Sequence, residues 1–263
     1  MNILLVSTAE RSGGGAIAAR RLLTALNGIG INAKMLVRDK QTDLHHVIQI
    51  KKGPLGMWKF VWERIVIWAN NLFSKRNLFK VSIANTGYDI TKFKEFQEAD
   101  IIHLHWVNQG MISLKNIQQI LDSGKPVVWT MHDMWECTAI CHHAYTCDRY
   151  KTECKNCPFL RFPGEHDLAN RVFQKKKKLL ANNTIHIITV SHWLERLAKE
   201  SALLKHCPID TIPNTLSLSD FQMMDKAECR KQLGLPLDKR IIIFGAARVD
   251  DPIKGFPMIL DAI

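Results

Sequence analysis

Residues 126–157 read PVVWTMHDMWECTAICHHAYTCDRYKTECKNC, and the rest of the chain takes its meaning from them. They open on Val127-Val128-Trp129-Thr130-Met131, a short apolar run with the β-branched content of a buried strand. The run stops at His132-Asp133. In open α/β sheets the residues just past a buried strand face the ligand crevice, which makes His132 the first candidate functional residue. Four cysteines follow: Cys141, Cys147, Cys154 and Cys157, with spacers of five, six and two residues.

Outward from this stretch, strands and helices alternate. Ile3-Leu4-Leu5-Val6 lies in a strand predicted over residues 2–7, and Ala16 to Leu26 repeats its apolar residues at helical spacing. Between them stand Ser12-Gly13-Gly14-Gly15. A strand, a glycine loop and a helix start bring backbone N–H groups to a positive helix end, where a phosphate can bind; a tight turn needing positive φ is the plainer reading. The contiguous glycines do not match the G-x-G-x-x-G spacing of dinucleotide enzymes, which argues against an oxidoreductase. Further strands are expected at 32–37, 47–50, 99–106, 185–190 and 209–212, with helices at 113–121, 167–181 and 192–200. His103 and His105 alternate along their strand and share one face. This alternation predicts an α/β fold with a parallel sheet covered on both faces.

Residues 57–73 form an aromatic helix candidate. Trp58, Val61, Trp62, Ile65, Trp68 and Leu72 share one side, with Lys59, Glu63 and Arg64 elsewhere and lysines flanking. Such a stripe is either core or an interfacial helix on a membrane, and both readings stand here. The lysine run 175–178 is expected on a solvated face. Residues 215–238 read as a linker, with a short helix at 227–233. Arg240 to Phe244 and Phe256 to Ile263 then read as the first strand and helix of a second domain, 239–263.

Composition bounds the function. The 263 residues are 46% hydrophobic, enough for a core, and carry a net charge of +11. A basic balance suits nucleic acid, an anionic membrane or a phosphorylated substrate, or solubility alone. No stretch interleaves basic and aromatic residues as a nucleic-acid site would, so no nucleic-acid partner is expected. The start MNILLVSTAE has no basic n-region, and no run approaches the ~18 apolar residues of a span, so the expected location is the cytoplasm. Thiols stay reduced there, and the cysteine cluster is read as a structural zinc site, as buried thiols, or as disulfides, with His142 and His143 as alternative ligands. Cys137, Cys207 and Cys229 are expected in the core.

The motifs SGGGAIAARRL (12–22), ADIIHLHW (99–106), VVWTMHDMWECT (127–138), TVSHWLERLAKES (189–201), IPNTL (212–216) and FGAARVDDPIKGF (244–256) occur in that order. Together they resemble the bacterial glycosyltransferases of family four, in the subgroup with a cysteine-rich insertion, here 137–157. The resemblance implies a GT-B fold: a Rossmann-like acceptor-side domain, 1–214, followed by a donor-binding domain that begins here. It implies a retaining transfer of sugar from a nucleotide-sugar donor to a glycan or lipid-linked acceptor in polysaccharide biosynthesis. No cofactor is implied for catalysis. The zinc would be structural, and Met57–Phe73 would contact the inner face of the membrane.

Residue by residue, the resemblance assigns His132 to the donor sugar as the catalytic-site histidine. It places Gly14 and Gly15 near the diphosphate and acceptor. Ser191 lines the cleft, Asn214 marks the hinge, and Lys254 grips the diphosphate. Ala246 stands where the family carries an arginine, and Arg248 follows two residues later as its replacement. Cys141, Cys147, Cys154 and Cys157 are the metal candidates. The family's acidic pair lies further down the second domain than residue 263, so this chain alone is not expected to turn over. The rival reading is a non-catalytic remnant, or a zinc-containing module that binds nucleic acid or a partner.

Overall fold

From Ile3 onward the first strand, β1 (Asn2–Ala9), is buried along its whole length. It pairs in parallel with β2 (Asn32–Asp39) on one side and β4 (Ile101–Leu104) on the other. β2 passes to β3 (Val47–Gln49). β4 passes to β5 (Val127–Met131), β6 (His186–Thr189) and β7 (Ile209–Thr211). The result is a seven-stranded parallel, Rossmann-like sheet in the order β3-β2-β1-β4-β5-β6-β7. The chain winds outward from β1 to β3, then returns to lay β4 against β1. The order therefore reverses between β1 and β4, the place where open α/β sheets leave a crevice. The computed structural model describes every residue except 51–55, 247, 248 and 250.

Both faces of the sheet are covered, as an all-parallel sheet requires. Alternate residues of β1 serve opposite layers. Leu5 packs with Met35, Val37, Ala19 and Leu23 under α1 (Gly14–Gly28). Leu4 and Val6 join the larger core with Leu36, Ile102, Leu104 and Trp129. The connections carry α2 (Gly56–Asn70), α3 (Lys94–Glu98), α4 (Leu114–Asp122), α5 (Leu168–Ala181) and α6 (His192–Glu200). α4 starts on a reciprocal cap: Asn116 N–H donates to Ser113 Oγ at 3.1 Å, and Ser113 N–H donates to Asn116 Oδ1 at 3.2 Å.

α2 decides against the core reading of its stripe. None of the six stripe residues, Trp58, Val61, Trp62, Ile65, Trp68 or Leu72, is buried; the buried positions are Gly56, Glu63, Arg64 and Ile67. The cause is polar. Glu63 Oε1 accepts from the N–H groups of Ile83 and Ala84 at 2.7 and 2.8 Å. Arg64 donates to the carbonyls of Leu78 and Val81 at 2.6 and 3.0 Å and pairs with Glu63 at 2.9 Å. Together they satisfy backbone groups of an irregular segment, 78–84, that the single antiparallel bridge between Val81 and Cys141 leaves unpaired. That requirement turns the charged pair inward and the tryptophans outward.

The lysine run is corrected at one position. Lys176 is buried, and its Nζ donates to the carbonyls of Trp135 and Thr138 at 2.5 and 3.0 Å while sitting 3.2 Å from the Trp135 ring centroid. The other three lysines are exposed. Among the lone cysteines only Cys137 is buried; Cys207 and Cys229 are half-exposed.

The first compact unit is Met1–Leu216 and the second Ser217–Ile263. Within the second, α7 (Lys226–Gln232) is capped by Asp225, whose side chain accepts from Glu228 N–H at 2.9 Å, and α8 (Phe256–Ala262) closes the segment. The strand expected at Arg240 to Phe244 is not formed among the described residues. A strand exists only through a hydrogen-bonded neighbour, and no described residue supplies one.

Candidate functional site

The carboxyl ends of β1, β4 and β5 meet at the reversal point. Pairing there continues beyond the strands: His105 N–H donates to Val6 O at 2.9 Å, and Thr8 N–H to Trp106 O at 2.8 Å. Gly13, at φ 93°, turns the chain into α1. The first turn of α1 has no acidic residue and no side-chain cap. Its N–H groups and the helix dipole thus offer a positive end without a built-in counter-charge.

Gly15 touches His132. A Cβ on Gly15 would lie 2.9 Å from His132 Cγ and 3.0 Å from Cδ2, closer than real side chains approach. Gly14 has open space around it. The two glycines named from the sequence therefore differ. Gly15 is required by contact with the imidazole, whereas Gly14 leaves room for something else.

His132 ends a row of three imidazoles. His105 Nδ1 lies 3.0 Å from His132 Nε2, and the two rings stack at 5.3 Å. His103 stacks on His105 at 4.3 Å, and its Nε2 lies 2.8 Å from Thr130 Oγ1. Burial disfavours the charged form of each. It holds His132 down to about 4, although the Asp133 carboxylate pulls the other way. Burial, with the neighbouring His132, holds His103 down to about 4 as well. His105 sits well below the ordinary imidazole range for the same reason. Near neutral pH the row is uncharged. His105 Nε2 is buried without a hydrogen-bond partner. A proton on His105 Nδ1 leaves only a lone pair there, the lesser penalty. His132 Nε2 is then the acceptor, and its Nδ1–H remains a donor.

Asp133 faces a separate network. It accepts from Trp106 Nε1 and Trp135 N–H, each at 2.8 Å, and lies 2.8 Å from His142 Nδ1. Ser82 Oγ stands 2.9 Å from His142 Nε2. Burial alone would raise Asp133, but His142 and these donors hold its carboxyl below the usual aspartate range. Asp133 is therefore a fixed anion that ties the cysteine-rich segment to the sheet rim. From the sequence, His105 is marked only by sharing a face with His103, and His142 only as an alternative metal ligand; Asp133 has no role of its own there. The signal available was the shared face of His103 and His105; the missing information was that β4 lies beside β5.

Ser191 caps α6 at the end of β6, accepting from Leu194 N–H at 3.3 Å. Asn214 is exposed just past β7. Lys254 is exposed in the turn Pro252–Lys254 of the second unit. Arg248 lies outside the described residues.

All seven cysteines are free, which removes the disulfide reading. Cys141, Cys147, Cys154 and Cys157 line one small cavity. Burial pushes Cys141, Cys154 and Cys157 each up to about 12, so without a cation they stay protonated. Among the described residues no three His, Cys, Asp or Glu side chains are set out to hold a metal ion. A metal would need these thiols to draw together and lose their protons. No helix among the described residues is long and apolar enough to cross a membrane.

Comparison with known proteins adds a family. The model of Glycosyltransferase Family 4 matches residues 12–220. A curated relative is the Escherichia coli (strain K12) protein named as a colanic acid biosynthesis glycosyl transferase, WcaC: it is 29% identical over 87 residues, covering 30% of this chain and 22% of that protein. Two solved structures of HepE from Anabaena, one in complex with UDP-glucose and one with UDP and glucose, cover 89% of this chain. They give TM-scores of 0.44 and 0.43 at 14% and 13% identity. The chain spans half the length of each HepE structure.

Proposed function

We propose that this chain, which belongs to Glycosyltransferase Family 4, supplies the acceptor-side half of a retaining glycosyltransferase. The donor would be a nucleotide-sugar, and the acceptor a glycan or lipid-linked saccharide in polysaccharide biosynthesis. One observation carries the reading: the imidazole of His132 packs on Gly15 at the open positive end of α1, at the point where the strand order reverses.

The chemistry follows from charge. As the bond from the anomeric carbon to the diphosphate breaks, negative charge grows on the leaving oxygens. Fixed donors aimed at that charge lower the barrier. The N–H groups at the start of α1, beside Gly14 and Gly15, supply such donors. His132, uncharged near neutral pH, supplies a hydrogen bond to a sugar hydroxyl without repelling or attracting the diphosphate. In this scheme Ser191 and Asn214 border the cleft.

The test is incorporation of labelled sugar from a panel of UDP- and GDP-hexoses into membranes of a polysaccharide-producing cell that expresses this chain, where a partner supplying the donor-binding half can be present. His132→Ala is expected to lower incorporation at least about a hundredfold, and the product should keep the donor's anomeric configuration. Equal incorporation by wild type and His132→Ala would overturn the role of His132. Incorporation from none of the donors would return the chain to the rival reading, a non-catalytic binding module.

A structural zinc on Cys141, Cys147, Cys154 and Cys157 belongs to the same proposal. Its support is that the four thiols, separated along the chain, converge on one cavity. Such a site would have no open position and would only shape the acceptor lip. Elemental analysis of protein purified without chelator should find about one zinc per chain; none would leave four packed thiols.

A further inference from the structure

Beyond the rim, the cysteine-rich segment carries a row of rings. His143 stacks with Trp193 of α6 at a centroid distance of 6.2 Å and meets Tyr145 edge-on at 4.7 Å. Tyr145 in turn rests against Phe159 at 6.0 Å, and Phe159 is buried. Trp193 is 48% exposed and Tyr145 45%, so the row leaves two large rings about half open to solvent. Its near end is tied to the rim: His143 follows His142, whose Nδ1 stands 2.8 Å from the carboxylate of Asp133. At its far end Tyr145 lines an open cleft of about 520 Å³. Lys80 also lines it, with Nζ 5.3 Å from the Tyr145 ring centroid. Arg76, Asn77, Asp148 and Arg149 share the walls, and Asp148 is the only carboxylate among the described residues there. Arg149 is steadied by donating from Nη1 to Asn156 O at 2.8 Å, and Asn77 by donating to Phe159 O at 3.1 Å.

We infer that this row and cleft hold an acidic oligosaccharide, the part of the acceptor chain behind the residue that receives the sugar. A pyranose ring has an apolar face of C–H bonds that packs on an aromatic plane, and a rim of hydroxyls that needs polar partners. Rings set about one sugar's width apart, bordered by Asn77, Asp148 and basic side chains, meet both needs along a chain. A guanidinium binds a carboxylate through two parallel N–H bonds, so Arg76 and Arg149 beside Lys80 favour a chain with uronic acids over a neutral one. Packing alone does not account for the exposed rings. Tyr145 has φ 53°, a left-handed backbone conformation that costs a bulky residue free energy. A ring left half in water recovers little of that cost by burial. That the ligand is the acceptor rests on the proposed sugar transfer; that the groove binds an acidic saccharide does not.

The experiment is calorimetric titration of the full 263-residue chain with hexasaccharides cut from polyglucuronate, polygalacturonate and alginate, beside neutral hexamers of glucose. At least one acidic hexamer is expected to bind at least about tenfold more tightly than any neutral one. Tyr145→Ala/Trp193→Ala, which changes no charge, should weaken that binding by at least about tenfold, and Tyr145→Phe/Trp193→Phe should keep most of it. Arg149→Gln should weaken the acidic hexamer by about tenfold. These side chains are at the surface, so the variants should melt close to the wild-type temperature, which separates lost binding from lost folding. No binding of any acidic hexamer, equal binding of the neutral hexamers, or wild-type affinity in either the alanine pair or Arg149→Gln would overturn the inference. So would a single-stranded hexadeoxynucleotide bound as tightly and lost in the same alanine pair, which would give the rings to nucleobases. No donor is present, so the result is independent of sugar incorporation. A chain that incorporates sugar but binds no acidic hexamer keeps the proposed function and loses the groove; one that binds without incorporating does the reverse.

Discussion

The rim around His132 and the outer surface of α2 and α5 are both built from basic and aromatic side chains, yet their electrostatics are opposite. At the rim, burial strips three imidazoles of charge, and they keep only hydrogen-bonding capacity. On the outer surface Lys115, Lys175 and Lys178 are exposed to solvent. Basic content alone therefore does not say where positive charge acts. Desolvation decides: a buried base becomes a neutral donor, while an exposed one remains a cation that salt can screen. The rim suits discrimination of hydroxyl groups, the outer surface long-range attraction.

The difference rests first on what turns α2. Glu63→Ala should cost about 3–5 kcal/mol in chemical denaturation, because it strands Arg64 in the interior and leaves the Ile83 and Ala84 N–H groups unpaired. Replacing both residues by leucine, Glu63→Leu/Arg64→Leu, removes the stranded charge and sharpens the point. If α2 then keeps its stability but rotates to bury Trp58 and Trp62, measured as a blue-shifted fluorescence, the ion pair was what set the outward face. A double variant as destabilised as Glu63→Ala would show instead that segment 78–84 needs those polar partners wherever the tryptophans lie.

The second effect is pH-dependent. His103 and His132 are held at about 4 when folded, against about 6.5 when unfolded. As pH falls below about 6.5 the unfolded chain takes up protons first. The imidazoles' contribution to stability should be full above that value, fall toward about pH 4, and flatten below it, by up to about 1.4 kcal/mol per pH unit per imidazole. Thermal melts across this window should show the slope. His103→Gln should reduce it, and Lys115→Gln/Lys175→Gln/Lys178→Gln, at the exposed surface, should leave it unchanged. An equal slope in all three proteins would mean that the imidazoles are not desolvated as the rim geometry implies.

Gly15→Ala should have a smaller effect on stability, about 1–3 kcal/mol, as the His132 ring or the start of α1 shifts to admit the Cβ. Gly14→Ala, with open space around it, should cost only a few tenths in the same melts. Equal costs at the two positions would remove the contact between Gly15 and His132 that the proposed function depends on.

The sheet was legible in the sequence because its central strands β1 and β5 are buried almost throughout and so appear as short apolar runs: residues 3–6 and 127–131 needed no tertiary knowledge. His132 was legible for the related reason that it follows such a run. What was not legible depended on partners distant in sequence. The orientation of α2 is set by backbone groups at 78–84, which no helical periodicity reveals. The His105–His132 contact requires β4 to lie beside β5. Lys176 could have been found, because Val172, Lys176 and Leu179 repeat at helical spacing, but the surrounding lysines masked it. Residues 240–244 have strand-like composition without a paired neighbour among the described residues, and composition cannot provide one.

Ser191 provides the finest distinction, between a residue that lines a cleft and one that only shapes it. Its oxygen accepts from Leu194 N–H at 3.3 Å, the bond expected of a helix N-cap. As a cap alone, Ser191→Ala should cost about 1 kcal/mol in denaturation, and Ser191→Asp should restore that stability, since aspartate caps as well as serine. If sugar incorporation follows stability through both substitutions, the side chain acts only by starting α6. The rim proposed here would instead give Ser191→Asp wild-type stability with reduced incorporation, because a carboxylate at the cleft border repels the diphosphate that the positive end of α1 is there to attract.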